Sequence, residues 1–479
     1  MTDKINLTKY TPGGIGELLA VSCPIMLSSA SGILMVFIDR VILSYYSPEA
    51  FDACFSVMHW YGTCSAFILE FVLISEVFVG QYNGAQRYKE IGPIIWQMIW
   101  FCAALFILFI PLALCLPPYL VAEQFAKLGV PYLNIILLFI PINCIGTGAF
   151  AAFFVGRGET KVIPVITVSF NILNIILDFL LIFGCRLLPG GNLEIISGHS
   201  ISIPMLNNPL EYQIIPEFGI RGAAIATVIS QCLSTLLLFI LFLRKSYRER
   251  YGTWDWKLRK GLLKQSLKMG YPNAFNRLFG MLALVGMTQV IIVKTASNDA
   301  HAYGIIHTLF LLFCFVGKGM SAGVRTICSN AFGAKEFGII SRNIRSWICL
   351  SIIFGIIIGI GALVYPDLLI GIFSEKMVEG EIYRIVRHML IWLWIGFWLD
   401  LFAINFAHLL LALGDTAFPM HVSTLSFVFI GVLPTYMGIV KFGCCSVLFW
   451  QFSALHYFIV FLILTYRYRS GRWMKSKLI

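Results

Sequence analysis

The sequence predicts an all-α polytopic membrane protein with twelve transmembrane helices. They form two six-helix bundles related by a pseudo-two-fold axis along the membrane normal. Three observations carry this expectation. The first is composition: 59% of the 479 residues are hydrophobic and 12% charged, about half the roughly 25% charged share of a soluble domain, and the mean hydropathy is +0.84. The second is a succession of apolar runs near the ~20 residues a helix needs to cross a bilayer. The third is an internal repeat. Pro24, Gly84-Ala85 and Gly158-Glu159-Thr160 recur in order as Pro272, Gly333-Ala334 and Gly414-Asp415-Thr416, at offsets of 248, 249 and 256 residues. Six spans per repeat is an even number, so both halves share one orientation and their axis runs along the normal.

Taken in order, the apolar runs place spans at 18–44, 53–80, 92–116, 131–155, 162–184, 219–243, 266–293, 302–328, 345–370, 386–413, 419–441 and 444–465. The N-terminal lobe is expected over 1–250 and the C-terminal lobe over 251–479. Residues 244–268 form the longest charged linker and separate the lobes. Residues 185–218 form the longest loop on the opposite face, where Pro189-Gly190-Gly191 and Asn207-Asn208-Pro209 mark turns, and a short hairpin or a cover is expected. The polar stretch 1–16 precedes a run long enough to stay in the membrane, so no cleavable signal is expected.

The net charge of +11 has a location. Of the 35 Lys and Arg residues, 23 fall in the N-terminus, the even-numbered loops and the C-terminal tail, 8 in the odd-numbered loops and 4 inside spans. The positive-inside rule then puts both termini in the cytoplasm of a multi-pass protein of the cell (inner) membrane. The basic excess reads as topology and attraction to anionic lipid, so the lipid bilayer is a partner and nucleic acid is not. The thirteen cysteines show no zinc spacing and read as small buried hydrophobes.

Function must come from polar groups at membrane depth, where an ionisable side chain is costly. The first half has Asp39, Glu70, Glu76 and Asp178; the second has Arg277, Lys318, Arg325 and Asp400. Asp39 precedes Arg40 near the end of its span, so a local pair with Arg40 competes with a functional role. Asn171, Asn174 and Asp178 stand at 0, +3 and +7 and share one helical face. That stripe is either interhelical glue or a hydrated site for a proton or Na⁺, since hard cations prefer oxygen ligands. At the 256 offset, Asn174 and Asp178 correspond to Ile430 and Pro434, so any ion site belongs to the first half.

The chain resembles the multidrug and toxic compound extrusion (MATE) transporters over nearly its whole length. The matching segments are Glu17-Leu18-Leu19 with Pro24, Ile38-Asp39, Val79-Gly80-Gln81-Tyr82-Asn83-Gly84-Ala85, Gly158-Glu159-Thr160-Lys161, Asn174 to Asp178 with Phe183-Gly184, and Gly219-Ile220-Arg221-Gly222-Ala223-Ala224. The resemblance implies a two-lobed, twelve-helix secondary antiporter that exports organic solutes, often cationic drugs or metabolites, against inward H⁺ or Na⁺ flow. It makes Asp39, Asn174 and Asp178, with Asn171 beside them, the ion-coupling site. Asp39 and Asp178 would be metal ligands only if the coupling ion is Na⁺, and no other cofactor is implied. It makes Asp400 a second polar site, for which Arg277 and Asn276 are the expected neighbours in substrate binding.

Departures accompany the resemblance. Arg40 stands where the family usually has a small polar residue, a seventh-span carboxylate of some Na⁺-coupled members aligns near Gly280, and Arg277, Lys318 and Arg325 make the second half unusually basic. A lipid-linked-sugar flippase of the same superfamily shares the helical, basic architecture. A membrane enzyme would use His408 and Asp400, at i, i+8, as an acid–base pair, although it would have no need of a repeated half. No catalytic residue is expected. The 249 offset also makes Glu76 and Arg325 equivalent positions of the two repeats. They are expected to form a partly wet inter-lobe gate on the cytoplasmic side, with Glu70 and Lys318 one layer further out. A single chain holds both repeats, so a monomer binding a small-molecule substrate is expected.

Overall fold

The computed structural model describes residues 7–188, 192–196, 199–202, 212–371 and 380–475. Eleven helices are long and apolar enough to cross a membrane, and a bent pair makes the twelfth. They are α1 (Ile15–Tyr46), α2 (Pro48–Gly84), α3 (Ile91–Cys115), α4 (Glu123–Leu138 with Ile140–Gly156), α5 (Val162–Phe183) and α6 (Ile220–Phe242) in the first half. The second half has α7 (Lys260–Lys294), α8 (Ser297–Gly333), α9 (Phe337–Val364), α10 (Glu381–Ala412), α11 (Ala417–Phe442) and α12 (Val447–Arg469). The bend in α4 is 44°. It falls at Phe139, just before Pro141, whose missing N–H and ring break the helical ladder.

Each half builds a core of its own, and one helix of each half leans on the other. In α1, Leu18, Val21 and Met26 join the core of α8, α9, α10 and α12, whereas Ile42 and Leu43 lie in the first-half core. In α7, Leu262, Leu263 and Met269 pack on the first-half core, whereas Met287 and Ile291 belong to the second. Small residues permit the crossing: a Cβ on Gly319 or Gly323 of α8 would overlap Met26 or Ser22 of α1. The repeat in sequence is therefore a repeat in packing, with each half lending its first helix to its neighbour.

Two segments differ from expectation. The seventh span begins at Lys260, six residues before the expected 266, because Leu262, Leu263 and Leu267 keep helical spacing while the lysine stems reach outward. The rest of the linker is a short helix, Lys245–Tyr251, followed by a strap bound to α3. Trp96 and Trp100 donate to the carbonyls of Thr253 and Trp256, each at 2.8 Å, and Arg259 pairs with Glu90 at 3.1 Å. The described residues of the loop after α5 are not helical. Four antiparallel strands, β1 (Cys185–Leu188), β2 (Asn192–Ile196), β3 (His199–Ser202) and β4 (Tyr212–Ile215), form a small sheet in the order β3-β2-β1-β4. The expected turns at 189–191 and 207–209 lie outside the described residues.

Candidate functional site: a polar ladder, a second polar site and a closed seam

The first polar site stands between α1 and α5, which run side by side in the same direction. Ser28 donates to Thr167 at 3.0 Å, and Asn171 donates to Ser31 at 2.7 Å. Further along both helices, the Asp39 and Asp178 carboxyls meet. The stripe on α5 thus divides. Asn171 is spent on holding the helices together, whereas Asn174 and Asp178 are fully buried with all four of their side-chain polar atoms unpartnered. One Asp39 oxygen is also unpartnered. A buried polar group without a partner costs stability, and a set of them on two facing helices is a built place for a proton or a cation. Cys54 of α2 and Tyr132 of α4 stand within electrostatic reach of both carboxylates; nothing in their local sequence singled them out.

Arg40 does not take the role of counter-ion. Its guanidinium lies over the Phe55 ring at 5.1 Å and its Nε is unpartnered, so its charge reaches Asp39 only at a distance. The local Asp39–Arg40 pair is replaced by a carboxyl–carboxyl contact.

The second site lies between α7, α8, α10 and α12. Asp400 faces Arg277 electrostatically and shares its surroundings with Cys314 and Tyr457. Among the described residues Asp400 and Arg277 form no ion pair within 4.0 Å. Asn276 accepts a hydrogen bond from Thr424 at 2.6 Å and so ties α7 to α11. Asp400's aromatic sequence neighbours are committed elsewhere: Trp398 packs on Trp394 and Phe402, and Phe402 on Trp347. The aromatic group that shares its space is Tyr457, from a different helix. The postulated acid–base pair of His408 and Asp400 does not form, because His408 Nδ1 contacts Arg325 at 3.1 Å instead.

The halves close on one another at the end that carries the repeated glycines. Arg325 and Glu76 form a two-point ion pair, Nε to Oε1 at 3.0 Å and Nη2 to Oε2 at 2.5 Å. Thr326 donates to Glu76 at 3.1 Å. The expected partly wet contact is dry: the two side chains are 5% and 3% exposed, because α2 and α8 meet on small residues. Glu70 and Lys318 do not repeat the pattern. Among the described residues neither forms an ion pair, and Glu70 feels Arg277, Arg325 and Lys318 only at longer range.

Two further links complete the seam. Gln81 of α2 donates to the Ala412 carbonyl at the end of α10, at 2.8 Å. Asn330 of α8 donates to the Gly156 carbonyl at the end of α4, also at 2.8 Å. These are the same bond drawn twice, since Gln81 and Asn330 differ by 249 positions and Gly156 and Ala412 by 256. A Cβ on Gly84 would overlap the Asn330 carbonyl, and one on Gly333 would overlap that of Gln81. The repeated Gly84 and Gly333 pack against one crossed brace, whose carbonyls stand two residues before the repeated Gly-x-Thr marks.

The MatE family model matches residues 24–180 and 278–437. The "Probable multidrug resistance protein NorM" of Thermotoga maritima is 24% identical over 392 residues, 77% of this chain and 74% of that protein. The "Uncharacterized transporter YisQ" of Bacillus subtilis is 21% identical over 478 residues, 96% of this chain and 95% of that protein. Among solved structures, a MOP superfamily transporter from Pyrococcus furiosus superposes with a TM-score of 0.81 at 15% identity, over 99% of this chain and 100% of that one. A multidrug resistance MATE family transporter in an outward-facing conformation superposes with a TM-score of 0.79 at 16% identity, over 100% of both chains. The family model covers both repeats, each containing the ends that form the seam, and the chain belongs to the MatE family.

Proposed function

We propose that this protein is a secondary active antiporter of the cell (inner) membrane, exporting organic drugs or metabolites, often cationic, in exchange for H⁺ or Na⁺. The observation that carries the reading is the buried Asp39–Asp178–Asn174 cluster, each of whose residues has a side-chain oxygen with no hydrogen-bond partner among the described residues. A proton neutralises one of the two facing carboxyls; a Na⁺ ion is coordinated by both, with the Asn174 amide oxygen as a third donor. Either event changes the relative free energy of two arrangements of the lobes, and that difference is what couples the ion to the solute. Asp400, Arg277 and Tyr457 supply mixed polar contacts for the solute in the second half.

The basic loops favour an orientation with both termini in the cytoplasm. The crossed brace and the Glu76–Arg325 pair then form the cytoplasmic closure of an outward-facing state. One chain contains both lobes and both polar sites, so a single copy is sufficient for transport. The test uses purified protein in liposomes loaded with a fluorescent cationic dye. Dye movement driven by an imposed pH or Na⁺ gradient supports the antiporter and identifies the coupling ion. Transbilayer movement of a labelled lipid with no gradient-driven dye flux points to a flippase, and chemical turnover without a gradient points to an enzyme.

A further inference from the structure

A groove of about 570 Å³, open on one side, runs between α2, α3 and the first turns of α7, apart from both polar sites. Phe71, Phe101, Leu263 and Leu267 make its walls apolar, and Lys260, Lys264 and Lys268 line it from α7. The lysines are four residues apart, so they share one helical face and rise over about 12 Å. All three are exposed, and among the described residues none forms an ion pair. The nearby acids are already occupied, since Arg259 takes both Glu90 and Asp255. Beside them the strap exposes Trp254 and Trp256, at 57% and 55%, and Trp settles at the level of lipid headgroups. The equivalent stretch of the first repeat, residues 12–23, has no lysine, so the feature is not a product of the duplication.

We propose that this groove binds one anionic glycerophospholipid, its phosphate held by the lysine row and one acyl chain lying along the apolar walls. A positive row at headgroup depth recognises the phosphate, and an apolar trough leading away from it accepts a chain. The groove holds neither the Asp39–Asp178 pair nor Asp400, so lipid binding there is independent of antiport. Two walls come from the first half and the third from α7, so the lipid seals a seam where the halves meet.

The test is native mass spectrometry of the full chain in detergent, titrated separately with phosphatidylglycerol and phosphatidylcholine. The wild type is expected to retain one phosphatidylglycerol in preference to phosphatidylcholine. The triple variant Lys260→Gln, Lys264→Gln, Lys268→Gln should bind it at least about tenfold more weakly, and the corresponding triple Arg variant should keep it. Leu267→Trp, which fills the groove and leaves the charges, should weaken binding as well. A control that removes three exposed charges elsewhere on the same membrane face, Lys245→Gln, Lys335→Gln, Arg345→Gln, should change nothing. The proposal is overturned if the wild type holds phosphatidylcholine equally well. It is also overturned if the lysine triple retains phosphatidylglycerol while eluting as a monodisperse protein, if Leu267→Trp is without effect, or if the control loses the lipid to the same extent.

Discussion

Two carboxyls on neighbouring helices, buried against one another, are an arrangement that folding alone disfavours, because like charges at contact and low polarity cannot both persist. Asp39 and Asp178 therefore need a proton or a cation whenever they are enclosed. Asp39→Asn keeps the shape and removes the exchangeable charge. Gradient-driven export by that variant should fall to background, while its thermal unfolding temperature stays near or above that of the wild type; export at the wild-type rate would rule the pair out as the coupling site. At the second site Asp400 has no partner within ion-pair distance among the described residues. Asp400→Asn should weaken dye binding about five- to tenfold, a cost of about 1–1.4 kcal/mol, and leave the stoichiometry of ion to solute unchanged. Binding assays across several dyes check this, and unaltered affinity for all of them would make Asp400 structural. The α5 stripe was legible in the sequence because its period is helical and its setting apolar. Tyr132, Cys54 and Tyr457 were not, because they reach the sites from helices distant in the chain and stand in unremarkable apolar context.

At the scale of helices, α2 and α8 carry the closure, and their chemistry follows from the repeat. Residues on matched helices beside a pseudo-two-fold axis face each other, which is how an offset of 249 alone pointed to Glu76 and Arg325. The offset did not show that the pair would be dry, nor that His408 and Thr326 would join it, because burial depends on the glycines packed around it. Removing one partner of a buried ion pair costs about 3–5 kcal/mol, since the other charge is left uncompensated. Glu76→Arg or Arg325→Glu alone should therefore stop transport. The double swap should recover part of the rate in the liposome assay, and a double variant no better than the worse single would show that the two residues act separately. The brace of Gln81 and Asn330 was out of reach of sequence reasoning. Both side chains bond to backbone carbonyls on other helices, and a carbonyl has no residue identity to read. Gly84 and Gly333 lie where any side chain would strike that brace. Gly84→Val should hold the seam ajar and raise thiol-reagent labelling of a cysteine placed at Ser329 several-fold. Labelling as slow as with Gly84 intact would mean the helices shift to absorb the side chain.

On the scale of the whole molecule, each half donates the start of its first helix to the other, and the halves touch through the crossed brace at one end. On the proposed antiport reading the lobes rock about the packed crossings of α1 on α8 and α7 on α2, which exchanges the closed end for the open one. The closure must then be strong enough to exclude water and weak enough to open on every cycle. A buried ion pair meets both conditions, because the hydration regained on opening offsets most of the attraction lost. If this is how the protein works, locking the seam must stop it. Asn83 donates to Asn330 across the seam at 2.7 Å, so the side chains of the two halves meet at these positions. In a background with the exposed native cysteines Cys23, Cys115, Cys349 and Cys445 replaced by Ser, Asn83→Cys with Asn330→Cys should cross-link under mild oxidant. The cross-linked protein should lose gradient-driven dye transport and regain it when a reductant cleaves the bond. Each single cysteine variant should be insensitive to the oxidant. Transport at an undiminished rate by protein verified as fully cross-linked would show that the seam never opens, and the path of the solute would then have to avoid it.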